Sequence, residues 1–74
     1  MAQRAKVSLR EVASRNVRRW RAQRGLTQEE AAARARIDYK RWQRIEAGQV
    51  NLTLKTLERI ARTLRLDPLK LFQP

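Results

Sequence analysis

The 74 residues predict an all-α fold, a compact five-helix bundle in which a tight turn joins the second helix to the third. Helix-start signals recur along the chain. Ser8 with Glu11 and Thr27 with Glu30 have capping-box spacing, Asp38 and Thr53 read as single caps, and Asp67-Pro68 reads as a cap and first helical residue. Between these signals apolar residues return at steps of three and four, and no stretch alternates as a half-buried strand would.

Residues 1–7 carry Arg4 and Lys6 without any periodicity, and are expected to form a flexible basic arm ahead of a single domain over residues 8–74. The first helix opens after Ser8 and runs to about Arg24, with Leu9, Val12, Ala13, Val17 and Trp20 facing inward and Gly25 ending it. Thr27 and Glu30 can each satisfy the other's backbone amide, so a second helix starts at Gln28. It turns the small residues Ala31, Ala32 and Ala35 inward, where another helix can approach closely, and ends near Arg34 or Ala35. Asp38 caps a third helix from Tyr39 to about Ala47, with Ile37 and Trp42 spaced as a hydrophobic staple and Gly48 as its stop. Thr53 opens a fourth, on which Leu54, Leu57, Ile60, Ala61 and Leu64 keep a clear helical period. A last short helix after Asp67 carries Leu69, Leu71 and Phe72.

The third helix is the informative one. Its only apolar pair, Trp42 and Ile45, fixes a narrow buried stripe, which leaves Tyr39, Lys40, Arg41, Gln43 and Arg44 on the flanks and outer face. Long donors, positive charge and an aromatic plane on one rod are what reading base edges and gripping phosphates in a major groove require. Trp20 and Trp42 could also be pictured as stacking platforms for single strands, but both fall on apolar stripes, which points to core packing.

Composition narrows the function further. A net charge of +11, from 18 basic and 7 acidic residues, favours a polyanionic partner: nucleic acid, an anionic membrane surface or an acidic protein. The chain has no cysteine and no histidine, so disulfides, thiolate nucleophiles and the usual zinc sites are excluded by inventory. No glycine-rich phosphate loop or carboxylate cluster offers chemistry either, so no enzyme, no metal, no cofactor and no small-molecule ligand are expected. No apolar run approaches the roughly 20 residues that span a bilayer, and a cytoplasmic location without membrane association is the expectation.

Gly25-Leu26-Thr27-Gln28-Glu29-Glu30, Ala32, Ile45-Glu46-Ala47-Gly48, Leu57, Ala61 and Leu64 stand in one register. Together they resemble the Cro/C1-type (Xre) helix-turn-helix family, and within it the small restriction-modification controller proteins. The resemblance covers about Asn16 to Phe72. It implies a lambda-repressor-like DNA-binding bundle with the helix-turn-helix at helices two and three. It implies base contacts from Tyr39, Lys40, Gln43 and Arg44, and phosphate contacts from Gln28 and from Gln49 and Asn51 in the following loop, to which this chain's own Arg41 and the guanidinium of Arg36 are added as expected phosphate contacts. Arg21 and Glu46 occupy the positions of a structural ion pair, and Leu66, Leu69 and Phe72 those of a dimer interface, although these three residues could instead only close the monomer core. The family's turn usually carries glycine where this chain has Arg36, so either Arg36 takes a positive φ or the third helix tilts.

The expected function is therefore a transcriptional regulator that binds double-stranded DNA in a sequence-specific way, as a homodimer on an inverted repeat, with control of a restriction-modification operon as the leading case. The competing class is an antitoxin-like module that binds an acidic protein and regulates its own promoter. RNA is disfavoured because a folded helix does not enter the deep, narrow A-form major groove easily.

Overall fold

A computed structural model describes residues 8–74. The expected arm, residues 1–7, lies outside the described residues. Four α-helices and a terminal 3-10 helix follow in order: α1 Leu9–Gln23, α2 Gln28–Ala35, α3 Tyr39–Glu46, α4 Leu54–Thr63 and the 3-10 helix Pro68–Phe72. Each cap side chain accepts the amide its spacing calls for, although of the two expected capping boxes only that of Thr27 and Glu30 is seen with both bonds. Ser8 Oγ accepts from the Glu11 amide at 3.3 Å and Thr53 Oγ1 from the Thr56 amide at 3.1 Å. Thr27 and Glu30 complete a full capping box, with bonds of 3.0 and 2.9 Å.

The fifth helix is where five α-helices must be corrected to four. An α-helix leaves its first four amides and last four carbonyls unpaired, which would leave a five-residue segment a single internal bond. The tighter i to i+3 closure satisfies groups sooner. Pro68 has no amide to leave unpaired, Asp67 Oδ1 accepts from the Leu69 amide at 2.9 Å, and Asp67 O accepts from the Lys70 amide at 2.9 Å.

The core gathers Val17, Trp42, Ile45, Ile60, Leu64 and Leu71, all fully buried, around the alanine face of α2. Ala31, Ala32 and Ala35 are buried there, and their size lets α2 lie against both α3 and α4. The terminal 3-10 helix packs on α1 and α4 through Leu71, a side chain whose burial is worth roughly 1.5–3 kcal/mol. Asn16, buried in the middle of α1, clamps it further: its Nδ2 donates to Leu71 O at 2.9 Å and to Gln73 O at 2.7 Å.

Two leucines expected inside are outside. Leu9 is 64% and Leu54 73% exposed. Each is the first residue of its helix, so the apolar period is kept but that first turn overhangs the core. With Leu52, Leu57 and Phe72 they line a surface groove of about 230 Å³. Trp20 is only half-buried, its Nε1 has no partner, and Arg24 and Lys70 sit 5.1 and 5.6 Å from its ring centroid.

All four α-helices end in the same 6→1 closure, in which an amide bonds the carbonyl five residues back: Leu26 to Arg21, Ile37 to Ala32, Gln49 to Arg44 and Leu66 to Ala61. The closure needs one left-handed residue. Glycine supplies it at Gly25 and Gly48, where φ is +70° and +73°, but arginine does so at Arg36 and Arg65, where φ is +57° and +58°. The turn before α3 thus keeps its geometry and Arg36 takes the positive φ, at a cost of about 1–2 kcal/mol relative to a relaxed backbone.

Candidate nucleic-acid interface

One buried carboxylate ties the two helices of the turn to the first. Glu46, 3% exposed, accepts from Arg21 Nε at 2.6 Å and Arg21 Nη2 at 3.1 Å, from Trp42 Nε1 at 2.6 Å and from Gln28 Nε2 at 3.0 Å. The donors come from α1, α2 and α3, so the orientation of α3 is set by charge-assisted bonds as well as by apolar packing. Arg21 also donates to Leu26 O at 2.8 Å, and Arg18 to the backbone oxygen of Glu46 at 3.3 Å. The sequence pairs Arg21 with Glu46 through resemblance alone, and it misses Trp42 and Gln28 as partners. The i, i+4 spacing of Trp42 and Glu46 was the available signal.

At its other end α3 is capped by Asp38, whose Oδ2 accepts from the Lys40 amide at 3.1 Å and the Arg41 amide at 3.4 Å. Between the cap and Glu46, Trp42 and Ile45 are buried while Tyr39, Lys40, Arg41, Gln43 and Arg44 are exposed. These five side chains make no hydrogen bond or ion pair to any described residue.

The remaining candidates surround that face. Gln28 is half-buried because of its bond to Glu46, which uses one of two amide hydrogens and leaves the other. The capping box occupies the amides of Thr27 and Glu30, leaving those of Gln28 and Glu29 at the open first turn of α2. The same box holds the Glu30 carboxyl below its usual range, first through the bonds to the Thr27 backbone and hydroxyl and less through nearby Arg34. Arg36 is exposed in the turn, and Gln49 and Asn51 are exposed in the loop before α4. Asn51 is held there by Arg10, whose Nη1 donates to its Oδ1 at 3.0 Å. Nothing in the local spacing flags that bond, since it joins residues 41 positions apart. Leu69 is 70% exposed, while Leu66 and Phe72 are half-buried. Among the described residues no helix is long and apolar enough to cross a membrane.

Two short helices joined by a tight turn, the second presenting a polar face braced from behind, define a helix-turn-helix protein. Residues 14–71 match the helix-turn-helix domain, and the chain belongs to that family, in its Cro/C1-type branch. Solved structures similar to this chain include the following three. The hypothetical transcription factor NHTF from Neisseria superposes with a TM-score of 0.87 at 30% identity, over 90% of this chain and 77% of that one. The restriction-modification controller protein C.AhdI from Aeromonas hydrophila gives 0.81 at 28% identity, over 85% and 96%. The clp gene regulator ClgR from C. glutamicum shares the fold, with 0.83 at 23% identity over 88% and 84%. No curated protein matches the chain.

Proposed function

We propose that the chain is a transcriptional regulator, without enzymatic activity, that binds an inverted-repeat operator in duplex DNA as a homodimer. The observation that carries this reading is the outer face of α3, where five exposed side chains have no partner among the described residues, on a helix capped by Asp38 and tied to α1 and α2 through Glu46. Tyr39, Lys40, Gln43 and Arg44 are assigned to base edges. Arg or Lys suits guanine O6/N7 and Gln suits adenine N6/N7, each good pair discriminating by about 1–3 kcal/mol. Gln28, Arg36, Arg41, Gln49 and Asn51 are assigned to phosphates, with the second amide hydrogen of Gln28 and the open amides of α2 serving one of them.

Dimerisation is assigned to the C-terminal face, Leu66, Leu69 and Phe72. It is supported by exposed Leu69 and by the adjoining groove where Leu9 and Leu54 meet Phe72. Two α3 helices would then enter successive major grooves roughly 34 Å apart, with half-site centres about 10 bp apart. Likeness to a restriction-modification controller supports control of such an operon.

Selection of sites from random duplexes, followed by binding across salt, tests this reading. A palindromic consensus is expected. Equal affinity for all sequences with a steep salt slope would leave only unspecific charge, and tight binding to one acidic protein with weak, sequence-blind DNA binding would favour the antitoxin-like module.

A further inference from the structure

A second flank carries charge that the α3 face does not account for. The C-terminal ends of α2 and α4 meet there in two adjoining clefts. The larger, about 520 Å³, is lined by Arg34, Ala35, Arg36, Arg59, Arg62 and Thr63. The second, about 140 Å³, shares Arg34 and Thr63 and adds Arg24, Leu26 and Arg65. No acidic residue lines either cleft.

Only Arg24 has internal work. Its guanidinium bonds Leu64 O at 2.7 Å and Arg65 O at 3.2 Å and lies over Trp20. Among the described residues Arg34, Arg36, Arg59, Arg62 and Arg65 form no side-chain hydrogen bond, and the sole ion pair is Arg21 with Glu46. Glu30 and Glu58 precede Arg34 and Arg62 by four residues, but neither closes an ion pair, and the Glu30 carboxylate is turned to the Thr27 amide. Cations near helix C-termini complement the helix dipole, which favours Arg34 and Arg36 at the end of α2 and Arg62 and Arg65 at the end of α4 but not Arg59, and does not offset the repulsion between the two sets. Two of them, Arg36 and Arg65, also hold left-handed positions that glycine would fill without strain. Glu30 is near enough to Arg34 to feel its charge, but no ion pair closes on any of the five, and like charges gathered this way raise the energy of the free protein, which a partner from outside relieves.

We propose that this flank is a second phosphate-backbone surface, occupied by duplex DNA that runs on beyond the operator half-site. The inference rests on the DNA-binding reading above and extends its footprint. Duplex DNA fits better than an acidic polypeptide for three reasons. Arg36 lines the larger cleft and stands two residues before the Asp38 cap, so the chain passes directly from this cleft to the start of α3. Guanidinium forks match phosphate oxygens in a bidentate way. And the clefts offer only Leu26 and Ala35 as apolar lining, too little for the buried anchor a protein partner needs.

The test compares two duplexes carrying the same selected operator, one ending at the half-site edges and one extended by roughly one helical turn, about 10 bp, on each side. The wild-type chain is expected to bind the extended duplex more tightly. The slope of log affinity against log salt should steepen by about 3 per protomer if Arg34, Arg59 and Arg62 each neutralise one phosphate. The triple variant Arg34→Gln, Arg59→Gln, Arg62→Gln changes only exposed side chains. It should bind both duplexes equally, match the wild type on the short one, and keep its sequence preference. Wild-type affinity and salt slope independent of duplex length would overturn the flank while leaving operator recognition intact. So would a variant that loses as much on the short duplex as on the long one. Absence of specific binding to either duplex would overturn both.

Discussion

Replacing Glu46 by Gln removes one charge from the point where α1, α2 and α3 meet while preserving side-chain shape. The Arg21 and Glu46 side chains are 17% and 2% exposed, so the pair is close to fully withdrawn from water. In Glu46→Gln one carbonyl oxygen must serve Arg21, Gln28 and Trp42, and the new amide nitrogen points at donors. Stranding one partner of a buried pair costs about 3–5 kcal/mol. The exposed edge of Arg21 and its retained bond to Leu26 O place this case near 3 kcal/mol. A chain of this length has on the order of 4–11 kcal/mol of total stability, so the loss is a large part of it. At about 4–8 °C per kcal/mol for domains of this size, the midpoint should fall by roughly 12–24 °C. Thermal and urea unfolding followed by far-UV circular dichroism measures it. The double variant Arg21→Met/Glu46→Gln should lose less than the sum of the two single losses, because no cation is left stranded. A loss below about 1 kcal/mol in Glu46→Gln, or strict additivity in the double variant, would refute the claim that the carboxylate anchors α3.

Arg36→Gly should raise stability by up to about 1 kcal/mol in urea unfolding, since glycine accepts φ +57° without a Cβ penalty, and should weaken binding to all duplexes alike. Trp20→Phe removes a buried indole N–H that has no partner, so its cost should stay under about 1 kcal/mol despite the loss of ring area. A larger destabilisation would show that the nitrogen is satisfied after all. The lowered Glu30 carboxyl contributes stability that is complete above its ordinary value of 4.5 and is lost as pH falls through the folded value. Glu30→Gln should flatten the acid limb of the stability curve, and an unchanged limb would contradict the capping role. Arg44→Ala should relax preference at one base position. Gln28→Ala should weaken all sites alike and also lower the unfolding midpoint, because it deprives Glu46 of a donor; a purely specific defect in Gln28→Ala would count against its phosphate role.

Much of the architecture was legible because it is written in short-range chemistry. Capping pairs three residues apart, glycines at Gly25 and Gly48, and the Trp42 and Ile45 stripe each act within one or two turns, and the helix limits follow them closely. What escaped depends on distant neighbours or on chain length. The bonds of Asn16 to Leu71 and Gln73, and of Arg10 to Asn51, join segments whose approach no local pattern announces. Leu9 and Leu54 obey the helical period, yet the period does not say where the core stops. The final helix has a correct start signal, but five residues favour the tighter 3-10 winding. At the candidate site, the exposure of Tyr39, Lys40, Arg41, Gln43 and Arg44 followed from the Trp42 and Ile45 stripe, which fixes the buried side of the helix. The fourfold coordination of Glu46 did not, since it needs three elements to converge.

The outward side chains of α3 hold up nothing behind them, and that separates two properties that are entangled in many binding proteins. Exchanging such solvent-facing residues should shift folding free energy by no more than about 0.5 kcal/mol. The address written on the helix can therefore be rewritten letter by letter while the chassis stays the same, so that libraries randomised at Tyr39, Lys40, Gln43 and Arg44 should yield mostly folded members with divergent targets.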